Sequence, residues 1–219
     1  MLPPAVAPTQ VVLVPILTSR SSGETGETTR NDDVKILDRL HSLAHALRKS
    51  GVRCQVDCRS DVRPGAKYFE WERKGVPLRL VLGPKDVSLG AITMVERIAG
   101  KKEIVDFTSE DAVVARVISN LETVQSALYA QAEARLQART HRVTSYSEMC
   151  SLLTDSGDGG FFLVPWKDCA DNEQKIKEDC KMTLRCFPYD HNQSPPAPGI
   201  KCFFSNEQAT HMALFARAY

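Results

Sequence analysis

The order of apolar patterns along this chain predicts an α/β layer fold in two parts. Three observations carry that expectation: a continuous apolar run from Gln10 to Leu17, a helical stripe from Ile36 to Leu47, and a far longer stripe from Val113 to Leu136 with a smaller set of strand and helix patterns beyond it. Strands that alternate with helices bury their apolar faces by layering helix on sheet. A chain of 219 residues suffices for one good core or two small ones.

Composition excludes several classes. Hydrophobic residues at 42% and charged residues at 25% are the proportions of an ordinary soluble globular chain. No apolar run approaches a bilayer-crossing length, so no membrane partner is expected, and the N-terminus lacks the layout of a secretory signal. The formal net charge is +1, which means that any nucleic-acid surface has to be a local patch. Seven scattered cysteines read as reduced thiols of a cytoplasmic protein rather than a disulfide framework.

The elements follow in order. Leu2 to Thr9 carries three prolines and reads as a tether at a domain junction. Gln10 to Leu17 is a strand buried on both faces, hence central. Thr18 to Asp33 is too polar to offset the entropy of ordering it and reads as a flexible loop. Asp32 and Asp33 can cap a helix whose Ile36, Leu37, Leu40, Leu43, Ala44 and Leu47 share one stripe, ending at Ser50 and Gly51. Val52, Cys54, Val56 and Cys58 alternate onto one face of a second strand, which makes both cysteines core thiols. In a third, Val76 to Leu82, Leu78, Leu80 and Leu82 face one way and Arg79 the other. Ala91 to Val105 fits either a helix or a strand pair broken at Gly100, with Ile104 to Phe107 as a last strand. Thr108 and Asp111 fit a capping box opening a helix whose stripe reaches about Arg139. Beyond it a smaller α/β pattern runs through Tyr146 to Leu153, Gly160 to Trp166 and Glu173 to Cys180, with short strands near Thr183 to Phe187 and Ile200 to Phe204. No internal repeat is present.

The segment most able to carry chemistry is RSDVRPGAKYFEWERKGVPLRLVLGPKD, Arg59 to Asp86. It sets seven basic side chains (Arg59, Arg63, Lys67, Arg73, Lys74, Arg79, Lys85) against four acidic ones (Asp61, Glu70, Glu72, Asp86), with Tyr68, Phe69 and Trp71 interleaved. A single-stranded base can be splayed out, stacked on an aromatic or guanidinium face and hydrogen-bonded along its edges. Guanine calls for both signs, since carboxylates accept from its N1 and N2 hydrogens while Arg or Lys donates to O6 and N7. Composition alone favours the bland reading, a solvated, charged strand and loop with a buried Trp.

The order of residues goes further. PGAKYFEWERKGVPLRLVLGPKD closely resembles the anticodon-binding domain of prolyl-tRNA synthetases of the eukaryote/archaeal-like type, with their P-G-x-K-x-x-x-W-E-x-K-G-V-P-x-R-x-x-x-G-P-x-D signature. The resemblance extends to LPP and APTQVV near the N-terminus, GVR and DCR at the second strand, Gly100 with Lys101, LRCFPY at Leu184 to Tyr189, and the closing FARAY. Ala66, Arg73 and Val81 depart from it, where the family has Trp or Tyr, Leu, and Glu.

The resemblance implies a class IIa anticodon-binding domain, a mixed five-stranded sheet with helices on both sides, followed by a smaller α/β C-terminal domain. On that reading residues 1–9 link from an absent catalytic domain, 10–110 form the anticodon-binding domain, 111–142 a long connecting helix, and 143–219 the zinc-binding-like C-terminal domain. It implies that Glu72, Arg79, Lys85, Asp86 and Lys101 lie against the second and third anticodon bases, both guanine in proline tRNA. Arg59, Arg63, Lys67, Trp71 and Lys74 are further candidates for RNA backbone contact or stacking. The bland alternatives are an exposed Glu72 and Lys74 pair and an Asp86 that caps the turn after Gly83 and Pro84. Tyr219 is implied to reach back toward the catalytic domain, its alternative a plain terminal strand.

The family's C-terminal domain often holds a four-cysteine zinc site. Its ligand positions fall here on Lys167, Asn172, Cys202 and Phe204, Cys169 is displaced, and Cys180 and Cys186 lack close-spaced partners, so no zinc is expected. His41 and His45 sit one helical turn apart without an obvious third ligand. No phosphate loop, nucleophile elbow or dinucleotide fingerprint occurs. The chain by itself is therefore expected to catalyse nothing. Its expected partners are proline tRNA and its own catalytic domain in a homodimeric, ATP- and magnesium-dependent ligase. The competing expectation is a stand-alone paralogous scaffold that keeps the fold.

Overall fold

A computed structural model describes residues 1–17, 27–98, 100–156 and 159–217. Two compact units emerge, Met1–Ala130 and Gln131–Tyr219.

In the first unit β1 (Val11–Pro15), α1 (Glu27–Lys49), β2 (Cys54–Val56), α2 (Pro64–Arg73), β3 (Leu78–Leu82), α3 (Pro84–Ser88), β4 (Ala91–Glu96), β5 (Lys102–Asp106) and α4 (Glu110–Ala138) follow one another. The sheet order is β2-β1-β3-β4-β5, with β1 parallel to both neighbours and β4 antiparallel to β3 and β5. Strand alternation divides the side chains. Val11, Leu13, Leu78, Leu80, Ile92 and Met94 face the stripes of α1 and α4, while Val12 and Val14 face Trp71 and Val76. Helices therefore cover both faces, and every residue of β1 is buried, as its uninterrupted apolar run predicts. Burying Ile36, Leu40, Leu43 and Leu47 of α1 contributes roughly 1.5–3 kcal/mol each.

Three sequence expectations need correction in this unit, and one open choice is decided. Residues 27–33 belong to α1 and not to a loop; 18–26 lie outside the described residues. Once the Ile36 to Leu47 stripe has met the cost of nucleation, each further turn adds hydrogen bonds cheaply. Pro64–Arg73 is a helix, with Pro64 opening it and Gly75 (φ +83°) just past its end, the asymmetry expected of helix termini. Ala91 to Val105 is the strand pair. Cys54 is buried but Cys58 is exposed, because β2 ends at Val56; its Sγ lies 3.7 Å from His41 Nε2.

Helix α4 buries Val113, Val114, Val117, Leu121 and Val124, whereas residues 131–139 are all exposed and 140–142, expected to be helical, form a strand. The second unit contains β6 (Thr140–Arg142), α5 (Tyr146–Ser156), β7 (Phe161–Trp166), α6 (Ala170–Cys180), β8 (Met182–Cys186) and β9 (His211–Arg217). Their order is β6-β7-β9-β8. Trp166, Phe203 and Phe215 meet in its core, Trp166 edge-on to Phe215 at 5.2 Å. Strands β6 and β7 start side by side over Gly160, where φ is +74° and a Cβ would come within 2.6 Å of the Arg139 carbonyl oxygen.

Ile200 to Phe204 is not a strand. It bends into a tight return, with Cys202 N donating to Glu207 O at 2.7 Å and only an isolated bridge from Lys201 to Gln208. The long strand is β9, which lies between β7 and β8.

Candidate nucleic-acid interface

The basic and aromatic segment is organised around one buried carboxylate. Asp57, the first residue after β2, is 4% exposed, and a buried charge persists only with partners. Arg59 Nε and Nη2 donate to its two oxygens at 3.0 and 2.7 Å, and Trp71 Nε1 donates at 2.7 Å. Lys67 Nζ donates to the Asp57 carbonyl at 2.8 Å and stands 3.7 Å from the carboxylate. Burial alone would raise the Asp57 carboxyl; the hydrogen bonds from Arg59 and Trp71, with the Lys67 charge beside them, outweigh it and hold the group well below the usual carboxylate range.

This withdraws two residues from the set of expected RNA contacts. Lys67 is 3% exposed and its ammonium is committed to Asp57, while Trp71 is 8% exposed, packs on Val12 and Val14, and has Lys74 Nζ 4.3 Å above its ring. Both fix α2 against the sheet. Arg59 and Arg63 are exposed, Arg59 bridging Asp57 and Glu70, and Lys74 also pairs with Glu70 at 2.8 Å.

Helix α2 covers only the β1 side of its face. Beyond it β3, β4 and β5 present two rows of side chains, set by register: Val12, Arg79, Val95 and Lys102 in one, Val14, Val81, Thr93 and Ile104 in the next. Ile104 is 73% exposed. Between α2 and the first row lies a cavity of about 320 Å³, lined by Tyr68, Trp71, Glu72, Arg79, Arg97 and Lys102 among others. That volume is at the small end for ligand sites.

Arg79 is held there by two contacts. Its guanidinium carbon sits 3.9 Å over the Tyr68 ring and its Nη1 donates to Glu72 Oε1 at 3.0 Å. Planar stacking with a directional ion pair orients a guanidinium in a way that a lysine would not match. Burial pushes the Tyr68 phenol up, with Arg79 opposing.

The other expected contacts divide. Glu72 joins Arg79 and leaves the Lys74 pairing to Glu70. Asp86 accepts from Gly83 N at 2.9 Å and from Thr93 Oγ1 at 3.2 Å, so it ties the start of α3 to β4. Lys85 and Lys101 are exposed. In the β4–β5 hairpin the register brings Lys102, and not Lys101, into the row with Arg79. Sequence reading also missed Arg97. The usable signal was the alternation of Thr93, Val95 and Arg97, legible once Ala91 to Val105 is read as a strand pair.

In the second unit the zinc-ligand positions do not fit a metal. Lys167 pairs with Glu207, Phe204 packs edge-on against Tyr146 at 5.0 Å, and Asn172 lies in the first turn of α6. Cys202 brings the single thiol, and no group of three or more His, Cys, Asp or Glu among the described residues is placed to hold a metal. His41 and His45 are both exposed. Tyr219 lies outside the described residues, while Phe215 to Arg217 belong to β9. Among the described residues no helix is long and apolar enough to cross a membrane.

Comparison with known proteins gives two family matches, an anticodon binding domain over residues 10–117 and a prolyl-tRNA synthetase C-terminal domain over residues 146–219. The whole chain is similar to three proline–tRNA ligases: that of Roseiflexus castenholzii (34% identical over 221 residues), that of Rubrobacter xylanophilus (33% over 218) and that of Chlorobium phaeobacteroides (32% over 223). Each comparison takes in 100% of this chain but 42%, 41% and 42% of the relative. The chain thus spans about two-fifths of the length of the curated relatives it matches.

Proposed function

The chain belongs to the prolyl-tRNA synthetase family, carrying an anticodon-binding domain and the C-terminal domain, and from that premise we propose that it reads the two guanines of the proline anticodon on the Glu72 and Arg79 side of its first unit. The pairing of Arg79 with Glu72 carries this reading. With Nη1 and Oε1 bonded to each other, Nη2 and Oε2 remain as a donor beside an acceptor. That pattern complements guanine O6 and N1–H, and adenine presents the reverse. Lys85, Asp86 and the Lys101–Lys102 turn border the same sheet face and are assigned to the neighbouring base and its backbone.

The wider assignment rests on the family. The parent protein would be a homodimeric cytoplasmic ligase that joins proline to its tRNA with ATP and magnesium, through a catalytic domain preceding residue 1. Residues 1–9 would lead in from it, 10–110 would bind the anticodon, and 143–219 would follow through α4.

Titration of this chain with proline tRNA, and with versions carrying adenine at the second or third anticodon position, tests the reading. Each replacement should cost about 1–3 kcal/mol; equal affinity for all three RNAs would end the proposal. Tyr219 is assigned to docking on the catalytic domain. A full-length enzyme ending at Arg217 keeps all of β9 and is expected to charge tRNA more slowly, so that a normal charging rate would dispose of this role.

A further inference from the structure

We infer that Arg97 holds a phosphate of the bound RNA strand, making the Arg79 cavity a nucleotide site rather than a base slot. The inference rests on the anticodon reading above and adds to it a ligand group and a residue outside the expected contacts.

Arg97 follows β4 directly and its amide donates to Pro77 O at 3.2 Å, continuing the strand pairing by one residue. Alternation then puts its side chain on the face of Val95, beside Arg79 and Lys102, and it lines their cavity. Three cations therefore meet there. Among the side chains of this row and of α2, Glu72 is the carboxylate that faces them, and Arg79 already uses it; Glu96, also at the cavity, pairs across from Leu78 and so belongs to the opposite alternation. An excess of positive charge calls for an anion, and a base edge carries none.

Hydrogen bonding points the same way. Arg79 Nε and Arg97 Nη1 are both enclosed without an acceptor, although buried donors are normally satisfied. Phosphate oxygens accept from guanidinium in a fork geometry and exceed any base edge in charge. With Arg79 stacked on Tyr68 and tied to Glu72, Arg97 is the guanidinium left to take them.

Phosphate contact and base contact leave different signatures. The test titrates the chain, Arg97→Ala and Arg97→Lys at several salt concentrations with proline tRNA and its two adenine-substituted versions. Arg97→Ala should weaken all three RNAs by a similar factor, about tenfold or more, and flatten the dependence of log affinity on log salt by about 0.7. Arg97→Lys should restore most of both. A loss confined to guanine-bearing RNA would make Arg97 a base reader and overturn the inference, as would unchanged affinity and salt slope. Arg97→Gln, which keeps most of the side-chain packing, replaces the alanine variant if circular dichroism shows that variant unfolded. Arg79→Ala separates the two levels. If it abolishes guanine preference while Arg97→Ala changes nothing, only the phosphate assignment fails; if it too leaves preference intact, the anticodon reading fails with it.

Discussion

Asp57→Ala is expected to destabilise the first unit by about 3–5 kcal/mol, the range for removing one member of a buried, hydrogen-bonded charge cluster. The substitution strands the Trp71 indole N–H and leaves the Lys67 ammonium, 3% exposed, without its counter-charge. Because those two residues hold α2 on Val12 and Val14, the loss should appear in denaturant unfolding of the whole unit and in the near-ultraviolet signal of Trp71. An unfolding free energy within a few tenths of a kcal/mol of the parent's would show that Asp57 is not the anchor described. The pH dependence has a definite sign. The Asp57 carboxyl is depressed in the folded chain against about 3.9 when unfolded, so its contribution is fully present above that unfolded value and drains away as pH falls through the depressed one. The advantage of the parent over Asp57→Asn should therefore be constant near neutrality and shrink below about pH 4. An advantage that persists unchanged down to pH 2 would contradict the assignment.

Arg79→Ala is expected to remove about 1–3 kcal/mol of preference for guanine over adenine, roughly tenfold or more in affinity ratio, while leaving the unit folded. The fold should tolerate it because the partner it releases, Glu72, has its side chain 47% exposed and can be hydrated. Arg79→Lys should recover little, since an ammonium neither stacks on Tyr68 as a plane nor keeps the fork geometry toward Glu72. Glu72→Gln provides a complementary check, as it keeps the size of the side chain but replaces the carboxylate that accepts from guanine N1–H. Titrations in which Arg79→Ala discriminates guanine from adenine as well as the parent does would remove Arg79 from the site.

Much of the fold was legible in local pattern. The unbroken apolar run of β1, the stripe of α1 from Ile36, the Leu78, Leu80 and Leu82 alternation and the length of α4 all follow from periodicity, which is a property of neighbouring residues. The misreadings have physical causes. Residues 27–33 look disordered by composition, yet a helix already nucleated by a docked stripe extends at small cost. Pro64–Arg73 has the chemistry of a binding motif, and Pro64 and Gly75 also mark a helix there. Ile200 to Phe204 has the composition of a strand, but Asn206, at φ 60°, turns the chain back before pairing can extend.

The candidate site divides along the same line. The signature from Pro64 to Asp86 was enough to identify the family resemblance and to single out Glu72 and Arg79, since both lie within one short stretch whose order is distinctive. Lys67 and Trp71 belong to the same signature, and nothing in its order says that they point inward to Asp57; only the packed arrangement of β2 against α2 decides that. Lys102 and Arg97 enter the site through the register of β3, β4 and β5, and register is fixed by pairings between residues far apart in sequence. By itself the sequence therefore determined the family resemblance, the layered α/β class and the candidacy of Glu72 and Arg79, each taken singly. The tertiary structure decided which cations share the cavity, which are committed to a buried carboxylate, and that the last strand sits inside its sheet. These depend on long-range pairing and burial, which a local pattern does not encode.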